Sequence, residues 1–193
     1  MSDPALEAHE HAEHAEHAAH ENNPFISLVS ITIALLAVIA AVTGSLETIE
    51  DGSAIIDANK AVLAQDQATD QWDFYQAKSL KKHMYTIAAA SGGASADKFA
   101  AIAKKEGEES EDVQKEAKKL EAERETLLAE SRAHESRHHR LSLGATLLEI
   151  GIAIATIAII TRHKLTWALS GILGLAGAAV AVLAFLPVGL PFL

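Results

Sequence analysis

Ten histidines stand in this chain of 193 residues, and half of them fall in one short strip. Residues 10–21 read EHAEHAEHAAHE, with His9 just before. On a helix, imidazoles at i and i+3 are near neighbours, so His11, His14, His17 and His20 could chelate a borderline cation such as Zn²⁺, Ni²⁺ or Cu²⁺. The metal candidates are therefore His9, His11, His14, His17 and His20. The chain has no Cys, which excludes disulfides and thiolate ligands. The alanines between the imidazoles offer no partner to orient them. The expected chemistry is weak, reversible buffering of divalent metal, with no resident cofactor. Three other readings of the strip stand beside it: a solvated acidic tail, a proton sensor titrating near pH 6.5, and a segment packed on Arg162, His163 and Lys164.

A second histidine group is His134-Glu135-Ser136-Arg137-His138, which fits the H-E-x-x-H pattern of zinc hydrolases. On a helix its two imidazoles lie one turn apart and can share a cation, with the glutamate as base. Its surroundings argue against that chemistry. No third ligand is near in sequence, no strand is in view to hold a substrate, and Arg132, Arg137 and Arg140 oppose a cation. Arg and His beside an apolar run more often anchor to lipid headgroups. The expectation is that the chain is not an enzyme.

The third chemically pointed residue is Glu149, which is set by its context. Residues 25–46 and 165–193 carry no charge, and residues 141–161 carry one, Glu149. About 20 apolar residues suffice to cross a bilayer core. Three transmembrane helices are therefore expected, within 24–46, 141–161 and 165–186, flanked by the tail 1–23 and an apolar end 187–193. A carboxylate at membrane depth suggests function. Ser142, Ala145, Thr146, Glu149, Ala153 and Thr156 share a helical stripe that suits a helix contact or a pore lining. In the third span, Ser170, Gly174 and Ala178, and Gly177 and Ala181, suit close helix approach.

Between the first two spans, residues 47–140 are charged and rich in Ala, with one breaker cluster at Ser91-Gly92-Gly93. This spacing predicts two long helices, about 53–90 and 95–139, folded back as a hairpin stalk outside the membrane, with Ser95 and Asp97 at the start of the second. The second helix repeats every seven residues through Phe99, Glu106, Val113, Leu120, Leu127, His134 and Leu141. Its seam is half charged, which weakens a two-stranded coiled coil. The first helix offers Ile55, Ile56, Val62, Leu63, Trp72, Tyr75, Leu80, Met84 and Ile87. The two are expected to pack on each other and to need further copies to cover the rest. EGEESED (106–112) is expected to be a frayed, solvated stretch around Gly107. The fold class is all-α: a membrane protein with three transmembrane helices and a coiled-coil-like stalk.

Residues 66–83 read DQATDQWDFYQAKSLKKH. Trp72, Tyr75 and Gln76 share a helical face, with Lys78 and Lys81 beside it. These five form the candidate interaction surface, which either fills the hairpin or a subunit contact or binds a small ligand. Gln67, Asp70, Gln71, Trp72, Tyr75, Gln76, Ala77, Lys78 and Lys81 form a pattern. With Arg137-His138-His139-Arg140 and Arg162-His163-Lys164, it resembles a family of bacterial inner-membrane proteins of unknown function over about residues 25–186. The resemblance implies the three-helix, multi-pass architecture and no activity. The His-rich tail lies outside it.

A net charge of −10 argues against a nucleic-acid partner. The expected partners are the bilayer, further copies of the chain, and another membrane protein as a candidate. One crossing separates the tail from His134–His139, so the two histidine groups cannot form one site within a chain. The charges of this chain leave the orientation open; the strongly basic short loop of the proteins it resembles implies a cytoplasmic tail and an external stalk. The function expected is a membrane-anchored oligomeric scaffold. The alternative is a small ion channel or transport accessory built around Glu149.

Overall fold

The computed structural model describes residues 24–186. The His9, His11, His14, His17 and His20 set and the end 187–193 lie outside the described residues. Three helices run in order: α1 (Pro24–Ala90), α2 (Ala96–Thr161) and α3 (Lys164–Leu183). No strand occurs among the described residues. Each helix contains a stretch long and apolar enough to cross a membrane.

The helices are longer than the sequence spacing predicts. That spacing puts a break between 46 and 53, yet α1 is continuous over 67 residues. The reason is that Gly44 and Gly52 are the only breakers there. A glycine costs a helix about 1 kcal/mol relative to Ala but keeps its N–H, whereas proline would remove it. Pro24 sits at the first helical position, where no N–H is needed. The expected turn does form. Gly92 and Gly93 take positive φ, 76° and 100°, which only glycine adopts without strain. α2 then begins just after Ser95, with Asp97 in its first turn. Its run through 106–112 is helical, against the expectation of fraying, and Gly107 is buried there with the Lys82 side chain 3.3 Å from where a Cβ would stand. α2 and α3 are joined through Arg162 and His163, with Arg162 in the left-handed region at φ 53°.

The chain forms two compact units. The first holds residues 24–54 and 133–186, and the second is Ile55–Arg132. The core of the first unit is aliphatic: Val29, Ile33 and Leu36 of α1 meet Leu148, Ile152 and Ala155 of α2. Trp167 of α3 closes it, donating from Nε1 to Thr32 Oγ1 at 3.2 Å and packing edge-on to Phe25 at 6.4 Å.

α2 and α3 touch backbone to backbone. A Cβ on Gly177 would lie 2.7 Å from the Gly144 carbonyl oxygen, and one on Gly151 would lie 3.2 Å from that of Ser170. Ser170, Gly174 and Gly177 are buried, so part of the expected small-residue row on α3 makes this contact. On α2 the contact residues are Gly144, Leu148 and Gly151. The stripe read from the sequence is split: Ala145 is buried, Ser142 and Thr156 are half-buried, and Thr146, Glu149 and Ala153 are exposed. Glycine lets two backbones meet, and in an apolar span that close packing outweighs the placement of polar groups.

The second unit is a hairpin with an alanine interior. Ala61, Ala64 and Ala68 of α1 are buried, as are Ala103, Ser110 and Ala117 of α2. The large residues expected inside are outside: Ile55, Ile56, Val62, Leu63, Leu80, Met84 and Ile87 are all more than half exposed. Only Trp72 and Tyr75 of that set are half-buried, and the α2 repeat residues Val113, Leu120 and Leu127 flank the contact. Small side chains let the helices close up, at the expense of buried area, since each buried methylene-sized group contributes only about 0.8 kcal/mol.

Candidate functional site

The first unit carries a charged cluster on the facing surfaces of α1 and α2. Glu50 of α1 is buried, its side chain 12% exposed. Its Oε2 accepts from Arg137 Nε at 2.8 Å and lies 2.6 Å from His134 Nδ1. Arg137 Nη2 is 2.9 Å from the same imidazole nitrogen. One nitrogen cannot both donate to the carboxylate and accept from the guanidinium. With the proton on Nδ1, His134 donates to Glu50, and Arg137 is held by the Glu50 carboxylate rather than by the imidazole. One turn earlier, Glu47 Oε1 is 4.0 Å from His138 Nδ1, which also lies 3.4 Å from the Glu47 carbonyl oxygen. Burial pushes the Glu50 carboxyl up, but the hydrogen bonds from Arg137 and His134 and their charges outweigh it and hold it below the ordinary value.

The H-E-x-x-H pattern is therefore engaged helix to helix. His134 and His138 lie one turn apart, and each presents Nδ1 to an α1 residue of its own rather than both to one cation. Among the described residues, no group of three or more His, Asp or Glu is placed to hold a metal ion. What the cluster does chemically is hold a charged carboxylate against α2 at a fixed register.

The second unit has a cluster of the same kind. Lys78, only 13% exposed, reaches across to Glu106 at 3.0 Å and hydrogen-bonds Glu109. Those two acceptors hold its ammonium above its ordinary pKa. Its Nζ also sits 5.5 Å from the Phe74 ring centre. Trp72 Nε1 donates to Glu121 at 2.9 Å, Tyr75 stacks edge-on against Trp72 at 5.5 Å, and Arg124 donates to Gln65.

Of the five residues expected at an interaction surface, the structure turns Trp72, Tyr75 and Lys78 into the hairpin and leaves Gln76 and Lys81 exposed. Glu149 stands exposed on α2, outside the packed interior of its unit. Sequence reading missed Glu50, Glu106, Glu109, Glu121 and Arg124. Folding the sequence back on itself at Gly92–Gly93 would have found the first three, because it sets Glu50 against 134–137 and Lys78 against 106–109; Glu121 and Arg124 are shifted further along α2 than that fold-back places them.

A family described as a domain of unknown function, DUF4337, has a sequence model that matches residues 25–187. No curated protein and no solved structure matches the chain.

Proposed function

The chain belongs to the DUF4337 family, a domain of unknown function, and from that premise we propose that it is a non-enzymatic scaffold, anchored in a membrane and working as a homo-oligomer. The three apolar helices are its anchor, and the Ile55–Arg132 hairpin is the stalk through which it meets other proteins. The membrane is the bacterial inner membrane, with several crossings per chain. The His-rich tail adds a weak capacity for divalent metal.

One observation carries this reading: the hairpin buries alanines and exposes its large apolar residues, Ile87 at 69%. A helix face of that kind in water calls for a covering partner. Glu149 supports the same reading, because a carboxylate on the outer side of a membrane helix needs a polar neighbour, and a second copy supplies one.

The test is the mass of the protein in mild detergent or in a lipid nanodisc, with helicity measured in parallel. An oligomer of defined mass is expected. A monodisperse, fully helical monomer overturns the reading.

A further inference from the structure

The outer face of α1 in the hairpin is a seven-residue repeat interrupted by charge. Leu63, Leu80, Met84 and Ile87 fall on its two seam positions, and so do Asp66, Asp70 and Asp73. All seven are exposed. At 100° per residue they point away from Ala61, Ala64 and Ala68, which face α2. An acidic block in the middle of an apolar seam selects what can lie against it.

The outer face of α2 presents two lysines near the same height, beside Asp112 and Glu116. The Gln65–Arg124, Trp72–Glu121 and Lys78–Glu109 pairs set the hairpin register, so the stretch 66–73 runs beside the stretch that holds Lys115 and Lys119. These two lysines lie one turn apart, on the side of α2 opposite Ala103, Ser110 and Ala117. They are 75% and 71% exposed. Each pairs with an acid three residues away on its own helix, at 3.0 and 3.2 Å. Exposed pairs of that kind are worth little and exchange readily.

We infer that the hairpins associate head to tail, the outer α1 face of one copy against the outer α2 face of the next, with Asp66, Asp70 and Asp73 meeting Lys115 and Lys119. This rests on the oligomeric reading above and specifies its geometry. Copies inserted in one membrane in one direction are related by an axis normal to it, so equal residue numbers lie at equal heights. A two-fold pairing through the α1 seam would set each of the three aspartates against its own copy, and like charges placed opposite each other are destabilising. A head-to-tail contact sets them against lysines instead. Such a contact cannot close with two copies, and a rotation that closes makes a ring of three or more.

The chain has no cysteine, so introduced thiols report without background. Asp70→Cys and Lys119→Cys lie on opposite outer sides of the hairpin. Packed helix axes are about 8–10 Å apart, and a disulfide needs Cα atoms within about 7 Å, so the pair cannot close within one chain. Oxidised in native membranes, the double variant should give a ladder reaching trimer or beyond on a denaturing gel, and each single variant should give none.

Replacing Asp66, Asp70 and Asp73 by Lys should weaken assembly about tenfold or more. Adding Lys115→Asp and Lys119→Asp should restore it. A dimer band from Asp70→Cys alone, or an oligomeric mass with no band from the double variant, overturns the head-to-tail arrangement and leaves the scaffold reading standing. A monomeric mass overturns both.

Discussion

His134 Nδ1 lies 2.6 Å from Glu50 Oε2, although 84 residues separate the two in the chain. Glu50 carries a lowered pKa, so the sign of its pH effect is fixed. Its contribution to stability is full above the unfolded carboxylate value of about 4.3 and is lost as pH falls through the folded value below that. Glu50→Gln should cost about 2 kcal/mol at pH 7, typical of a hydrogen bond to a charged group. The variant should also lose part of the wild-type decline in stability below pH 4. Thermal loss of helicity at pH 7, 5 and 3.5 measures both. Parallel curves for the two proteins would show that the pair contributes nothing.

Gly177 should tolerate no side chain. Its Cβ would stand 2.7 Å from a backbone oxygen and 3.0 Å from Leu148. Backbone cannot yield as a flexible side chain can, so Gly177→Ala should cost about 2 kcal/mol by overpacking. Gly171 is the control, since a Cβ there meets open space. Gly171→Ala should be neutral or slightly stabilising. Unfolding of the detergent-solubilised protein, read by helicity, compares the two.

These two positions also show what a sequence can and cannot reveal. The helices long and apolar enough to cross a membrane were legible because a charge-free run of about 20 residues matches the thickness of a bilayer core and is longer than most buried helices need. The turn was legible because Ser91-Gly92-Gly93 is the one place where both long helices can stop. Which side of α1 faces α2 was not legible. Ala61, Ala64 and Ala68 and the aliphatic set around Leu63 both have helical spacing, and periodicity alone does not say which one turns inward. Burial of the larger residues is the usual rule, and close approach overrides it here. The Glu50–Arg137 pair was missed for a different reason, because it comes into view only when the two helices are read side by side from the turn at Gly92–Gly93.

Trp72 should act as a latch in the hairpin rather than as an exposed contact. Trp72→Phe keeps a ring but removes the hydrogen bond to Glu121, at about 1 kcal/mol. Trp72→Ala also removes the edge-on contact with Tyr75 and should cost about 3 kcal/mol. Proteolytic susceptibility of the Ile55–Arg132 stretch should rise in that order.

Glu149 should matter for assembly and not for the fold of one chain, since it is exposed on its own unit. Glu149→Gln keeps a hydrogen-bonding group and should leave the oligomer intact. Glu149→Leu should reduce its population several-fold, in line with the roughly 0.6–2 kcal/mol of a hydrogen bond between membrane helices. Mass in detergent decides. An unchanged oligomer with Leu would make the residue lipid-facing.

Residues 1–22 hold five of the ten histidines, and their deletion should abolish weak Zn²⁺ or Ni²⁺ binding without altering the oligomer. Protons compete for neutral imidazole, so affinity should fall as pH drops through about 6.5. Calorimetric titration of intact and truncated protein at pH 7.5 and 5.5 checks both points. Equal binding by the two proteins would move the metal away from the tail.

If the hairpin assembles with further copies, its alanine interior ties the protein's durability to its abundance. A contact of methyl groups holds two helices together only weakly, so a cover over Leu63, Met84 and Ile87 would add to the Trp72, Lys78 and Arg124 contacts that keep the hairpin closed. If the cover is another copy, mass action applies and stability rises with the number of chains per area of membrane. A sparsely expressed chain would open often, exchange its amide hydrogens quickly and fall to proteases. A crowded one would do neither, so the cell could set the lifetime of this protein through its rate of synthesis alone.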